Sequence, residues 1–308
     1  MDNNSNLSWQ KINENCASVI VHNQELFVGC YGVIKVYNPL SKVLYRKFGK
    51  EDLVGNWVRG LVIYQNNLLV TDQTSKLHIF SINGKHYKSI TVDGMVKGSG
   101  MSICNQKLFI CDAMGHCVKV VDPGTGKLLG TIGLGSKGEG KDQFDGPRLI
   151  TSTNNRLYVT EFNSNRVKVM DEHGTFIDQF SASTPTGIAI YGKYILVSEF
   201  GENQVSLYDE NHKFVKFLLK CSNPYGIFIT SRGQIIVAAT EIHMSGTFNF
   251  INVVLICIIL YIDFGEEKDD DQLKTDIETD TDTTQNLREQ LKKKDELIRF
   301  MISTYIIK

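Results

Sequence analysis

Short apolar runs recur along the chain at nearly fixed intervals. The segments NNLLVTDQTSKLHIFSINGK, QKLFICDAMGHCVKVVDPGTGK, NRLYVTEFNSNRVKVMDEHGTF and KYILVSEFGENQVSLYDENHKF share one pattern. An apolar run ends in an acid, a short polar loop follows, and an alternating run leads to a turn that often holds glycine. The acids are Asp72, Asp112, Glu161 and Glu199; Cys30 and Ala239 take the same place in ELFVGCYGVIKVY and GQIIVAAT. From Cys30 to Ala239 the intervals are 42, 40, 49, 38 and 40 residues. Runs of this length and composition predict strands. The period predicts blades of four short antiparallel strands around a common axis.

The other strands of each unit can be placed from the same pattern. Inner strands are predicted at Gly60–Ile63, Gly100–Ile103, Arg148–Ile150, Gly187–Ile190 and Gly226–Ile229, with Pro147, Pro185 and Pro224 just before three of them. Proline at a strand entrance removes no ladder hydrogen bond. Half-polar segments such as KHYKSI, KLLGTI, TFIDQF and KFVKFL suit outer strands with one wet face. The expected fold is therefore all-β, a six-bladed propeller.

The units resemble NHL repeats, most clearly in residues 135–180. There Gln143-Phe144, Pro147, Tyr158-Val159-Thr160-Glu161, Asn165-Arg166-Val167 and Asp171 fit the repeat pattern. The resemblance covers about residues 16–240 and implies a β-propeller related to those of tripartite-motif NHL ubiquitin ligases. The chain has no RING-type Cys/His cluster and no B-box, so the resemblance does not extend to that catalytic half.

The stretch GLGSKGEGK holds G-x-G-x-x-G at Gly133, Gly135 and Gly138. A dinucleotide site needs a strand before such glycines and a helix after them. Here KDQFDGPRLI follows, which reads as turn and strand, so the stretch is expected to be a long interblade loop.

Outside the repeats the organisation changes. Leu7–Ile12 alternates like an outer strand and is expected to close the ring within residues 1–15, before the blades of 16–243. The last blade then needs a third strand from residues 244–265, predicted at Cys257–Gly265. Met244–Ile262 carries no charge over 19 residues. It reads as an insertion plus a buried strand, as a non-native segment such as a retained intron, or as a membrane span; the first reading is adopted because its continuous apolar part is short for a bilayer. Residues 266–284 read as an acidic disordered linker, and 285–308 as an amphipathic helix capable of weak self-association.

Composition narrows the function. The formal net charge is -1, and residues 1–243 hold 25 Lys/Arg against 21 Asp/Glu, so no strong field favours nucleic acid or membrane. The N-terminal sequence MDNNSNLSWQ lacks the apolar core of a signal peptide, which makes a cytoplasmic protein the expectation. Seven cysteines without a C-x-x-C imply small buried thiols rather than a disulfide framework or zinc site.

No catalytic or metal constellation emerges, and no cofactor is implied. The seven histidines show no H-x-H or H-E-x-x-H spacing, and no Ser-His-Asp set can be assembled. The repeated acids read as framework, hydrogen-bonding the polar loop after each. What remains is a loop face. Loops entering the inner strands bring Trp57, Arg59, Arg148 and Tyr225; loops between second and third strands bring His116, Phe162, Asn163, Arg166 and Phe200. Aromatics and arginines on loops anchor macromolecular partners. The expected function is a non-enzymatic scaffold for a protein partner. Phe162 and Phe200 as caps between blades, and Arg166 as the partner of a blade acid, are the structural alternatives. RNA binding by the same face and a metal-dependent lyase or lactonase are the functional ones.

Overall fold

Each unit folds as an antiparallel meander whose strand faces are dictated by the alternation in the sequence. In a computed structural model, residues 11–12, 16–39, 41, 43–53, 56–231, 233–239, 241–242 and 255–261 are described. Blade 1 comprises Cys16–His22, Glu25–Cys30, Val33–Tyr37 and Leu44–Phe48; blade 2 comprises Gly60–Tyr64, Asn67–Thr71, Lys76–Ser81 and His86–Thr91. Blade 3 comprises Gly98–Cys104, Lys107–Asp112, Cys117–Val121 and Leu128–Ile132, and blade 4 Pro147–Thr153, Arg156–Glu161, Arg166–Asp171 and Phe176–Ser181. Blade 5 comprises Pro185–Tyr191, Tyr194–Glu199, Gln204–Tyr208 and Phe214–Ser222, with Glu241–Ile242 added at its edge. The chain is thus an all-β propeller with five blades complete in consecutive strands.

A further sheet combines distant parts of the sequence. Ile227–Ile229 pairs with Gln234–Ala239, which pairs with Leu255–Tyr261, which pairs with Lys11–Ile12. The predicted closure strand is present at its last two residues, and Leu7 to Gln10 lie outside the described residues. So do the predicted linker 266–284 and helix 285–308. No helix among the described residues is long and apolar enough to cross a membrane.

The second strand of each blade is buried on both faces, which explains its unbroken apolar run. In blade 1, Phe27 joins Leu61, Leu68, Val70 and Phe80 of blade 2, while Leu26 and Val28 join Ile236 and Ala238 on the other side. The same alternation ties Phe109 of blade 3 to Leu157 and Val159 of blade 4, and Leu108 and Ile110 to Leu69 and Leu77 of blade 2. Each such buried Leu or Phe contributes roughly 1.5–3 kcal/mol. Outer strands read as expected: Phe214 and Phe217, for example, remain about half exposed.

In blades 1 to 4 the hairpins between first and second strands are two-residue turns with positive φ at both positions: Asn23-Gln24, Gln65-Asn66, Asn105-Gln106 and Asn154-Asn155. Asparagine tolerates the left-handed region, and turns of this hand match strand twist. These hairpins mark one end of the ring. Cross-strand pairs Gly98↔Asp112, Pro147↔Glu161 and Pro185↔Glu199 show that the inner-strand entrances and the second-to-third-strand loops share the other end.

One cysteine expectation is overturned. Cys16 and Cys30 form a disulfide across the first two strands of blade 1, with their Cα atoms 3.7 Å apart. They occupy the register position that pairs a strand entrance with an acid in blades 3, 4 and 5. Cys111, Cys117 and Cys221 remain buried free thiols and Cys104 is a half-buried one.

Inner strands crowd near the axis, and glycine makes that approach feasible. A Cβ on Gly187 would collide with the Tyr225 carbonyl oxygen and meet Ile227 Cγ2 at 3.1 Å. Gly187→Ala is therefore expected to cost about 1–3 kcal/mol through overpacking. Thermal denaturation checks this against Gly130→Ala, where a Cβ meets nothing within 4 Å and stability should hold.

Candidate partner-binding site at the channel mouth

The framework of the site is built by the repeated acids. Each accepts a hydrogen bond from a residue 16 positions upstream, on the loop entering the same blade. The donors are Asn56 Nδ2 to Asp72 at 3.4 Å, Val96 N to Asp112 at 2.9 Å, Asp145 N to Glu161 at 2.9 Å, and Ser183 N to Glu199 at 3.2 Å. Each acid also fastens the loop or strand that follows it. Thr74 Oγ1 donates to Asp72, Gly115 N to Asp112, Arg166 Nε to Glu161 and Gln204 Nε2 to Glu199. The expected framework role therefore extends to the entering loop of each blade as well as to the loop or third-strand start that follows the acid, and these border the candidate face.

Six of the nine candidate residues form one connected group on that frame. The Arg59 guanidinium lies 4.5 Å from the Tyr225 ring centre and 5.0 Å from that of Trp57. Arg148 lies 4.8 Å from the Phe162 ring centre. Phe200 links the halves, with ring centres 5.9 Å from Phe162 and 5.4 Å from Tyr225. Such cation–π and tilted aromatic contacts hold side chains in place while leaving polar edges available. Arg59, Arg148 and Tyr225, with Ser99, Thr186 and Gly226, line a cavity of about 20 Å³. That is room for one or two water molecules, since about 10–15 Å³ holds one. Burial lowers the pKa of both guanidiniums, and for Arg148 the Arg59 charge adds to the effect.

The other three candidates lie apart from this group. Arg166 is buried and donates from Nε and Nη2 to Glu161, both at 3.0 Å, as its structural alternative foresaw. Asn163 is exposed and donates to Asp145 at 2.8 Å. His116 Nδ1 accepts from Gly146 N at 3.3 Å.

The G-x-G-x-x-G loop works as a lid over the buried cations of blade 4. Arg166 Nη1 donates to Glu139 O at 2.7 Å, and Lys168 Nζ to Gly140 O at 3.1 Å and to Gln143 O. The loop offers these cations carbonyl oxygens, whereas a phosphate cradle offers N–H groups. Pro147–Thr153, a strand, follows it.

Sequence reasoning missed one polar chain. Ser89 Oγ lies 3.0 Å from His86 Nε2, whose Nδ1 lies 2.9 Å from Asp52 Oδ1. These distances resemble those of a Ser-His-Asp set. The same hydroxyl also meets His78 Nδ1 at 2.8 Å, and His78 Nε2 lies 3.3 Å from Asp72. Ser89 is thus held between two imidazoles on an exposed outer strand, which suits a structural link better than a nucleophile. Among the described residues, no three His, Cys, Asp or Glu side chains group as a metal site.

No family model matches the chain, and no curated protein matches it in sequence. Solved structures match it in fold. One is a catalytically inactive variant of virginiamycin B lyase from Staphylococcus aureus with quinupristin: TM-score 0.59, 16% identity, covering 83% of this chain and 90% of that one. A streptogramin B lyase structure gives a TM-score of 0.54 at 12% identity, covering 75% and 94%. A protein of unknown function from Bacteroides caccae gives 0.56 at 14% identity, covering 71% and 83%. The chain is therefore a β-propeller similar in fold to these proteins.

Proposed function

We propose that this chain is a non-catalytic scaffold of the NHL type that binds a protein partner through the channel mouth. The observation that supports this most is the connected group Trp57, Arg59, Tyr225, Phe200, Phe162 and Arg148. Its aromatic and arginine composition is that of protein-binding anchors. The cavity beside it is far below the 300–1,000 Å³ usual for a small-molecule site. In this reading the ring has six blades. Pairing of Lys11 with Ile256 and of Ile12 with Leu255 supports the N-terminal strand as the clasp. A cytoplasmic location belongs to the same reading, and the Cys16–Cys30 bond is the observation against it, because disulfides persist in oxidising compartments.

Affinity capture with the full-length chain tests the proposal. The wild type should retain a nuclease-resistant set of proteins, and Trp57→Ala/Phe200→Ala should lose it while still unfolding cooperatively with a native far-UV circular dichroism spectrum. Equal capture by both chains would contradict the proposal, and a nuclease-sensitive, strongly salt-dependent signal would favour RNA. A lyase or lactonase is the second reading, favoured by the fold likeness to virginiamycin B lyase. The connected group speaks against it, since among the described residues it is made of arginines and aromatics. Stoichiometric zinc or calcium in purified protein, lost together with an activity, would reverse that judgement.

A further inference from the structure

Arg59 and Arg148 pose an electrostatic question. They stand at the inner-strand entrances of blades 2 and 4, close enough for the charge of Arg59 to depress the pKa of Arg148. Among the described residues, no carboxylate forms an ion pair with either. The Nε of each is buried without a hydrogen-bond partner. Arg59 has the faces of Tyr225 and Trp57, and Arg148 has the face of Phe162. The fully enclosed cations of blade 4, by contrast, are matched: Arg166 and Lys168 lie 3.0 and 3.4 Å from Glu161. Two half-buried like charges without a counterion are costly to a fold. Their cavity also lies between them, lined by both.

We infer that the channel mouth is an oxyanion site, in which Arg59 and Arg148 together bind the carboxylate of an acidic side chain presented by the protein partner. The inference rests on the scaffold reading and names the group that is recognised. A guanidinium fork donates to a carboxylate in bidentate fashion, and partly desolvated forks do so most strongly. The cavity volume of about 20 Å³ suits the head of one side chain reaching in, not a whole metabolite. The residues beside the two guanidiniums are aromatic, Trp57, Phe162 and Phe200, and offer an apolar rim for the rest of a peptide. A nucleic-acid backbone would instead call for a track of several cations.

The inference predicts two separate results. First, Arg148→Met in the unliganded full-length chain should leave the melting midpoint unchanged or raise it, because a half-buried charge without a counterion is removed. A fall of several degrees would mean that Arg148 is a structural residue and would overturn the site. Second, a random heptapeptide library selected on the full-length chain should yield peptides with Asp or Glu beside an apolar residue. Their affinity should fall at least tenfold in Arg59→Met/Arg148→Met, or when the acid is changed to its amide. It should hold in Arg156→Met, an exposed control at the opposite end of blade 4. Competition by inorganic phosphate at a similar concentration would reduce the site to one for small free anions and overturn the peptide assignment. Selected peptides without an acid, lost in Trp57→Ala/Phe200→Ala but not in the arginine variant, would sink this inference and leave the scaffold reading standing. Loss of neither would remove both.

Discussion

Glu161→Gln is expected to lower the free energy of unfolding by about 3–5 kcal/mol, the cost of breaking a buried ion pair from one side. Glu161 is fully buried and accepts hydrogen bonds from Asp145 N, Arg166 Nε and Arg166 Nη2. Lys168, also fully buried, lies 3.4 Å away and stacks its ammonium 4.3 Å from the Phe144 ring centre. The amide keeps the shape of the carboxylate but not its charge, so two buried cations lose their counterion. Its NH2 group would also face donors where the carboxylate offered only acceptors. At about 2–4 °C per kcal/mol for a protein of this size, the midpoint should fall by roughly 6–20 °C. Lys168→Met removes one of the surplus cations and should cost less, since the Glu161–Arg166 pair survives it. The double variant Glu161→Gln/Lys168→Met should recover part of the loss, the non-additivity expected of residues in one network. Denaturant titration measures all three, and a Glu161→Gln cost below about 1 kcal/mol would refute the clamp.

Removal of residues 1–15 should be comparably damaging, for a different reason. The strand Leu255–Tyr261 pairs with Lys11–Ile12 on one side and with Gln234–Ala239 on the other. Without the N-terminal strand its outer edge carries unpaired backbone groups, a template for intermolecular pairing. The loss also loosens the sheet whose Ile236 and Ala238 pack against Cys16, Leu26 and Val28 of blade 1. A ring held at that junction should open there first. The expected outcome is a midpoint lowered by at least about 10 °C, on the order of 3 kcal/mol, together with concentration-dependent aggregation. An unchanged midpoint would show that the N-terminal strand is not a clasp.

The blade architecture was legible because each second strand is sandwiched between neighbours and, in blades 2 to 5, the entering loop is clamped at a fixed distance by an acid. Burial on both faces writes an unbroken apolar run; a clamp 16 residues back writes a period. The Cys16–Cys30 bond was harder to see, because Cys30 stands where other blades place an acid and Cys16 precedes no proline. The register of those blades held the clue, since it sets the acid position opposite the strand entrance. Arg148 and Arg166 look alike in sequence, yet one faces the channel mouth and the other is framework. Arg166 sits five residues after Glu161 and directly opposite it across the turn, as Gln204 does to Glu199. That offset marks a side chain committed to the blade acid. By contrast, Arg59 and Tyr225 come from opposite ends of the repeat array, and only closure of the sheets around the axis brings them into contact. The chain Asp52–His86–Ser89–His78–Asp72 was illegible for a similar reason: it joins an interblade loop to three strands or strand ends of blade 2.

The central claim is that the end of the ring bearing Trp57, Arg59, Arg148 and Tyr225 is where a protein partner binds. Hydrogen exchange on the full-length chain, with and without a partner purified by capture, tests it most directly. The account predicts new protection in the segments that hold Trp57–Arg59, Phe162, Phe200 and Tyr225, and none at the hairpins Asn23-Gln24, Gln65-Asn66, Asn105-Gln106 and Asn154-Asn155. Protection confined to those hairpins or to the outer strands would contradict it.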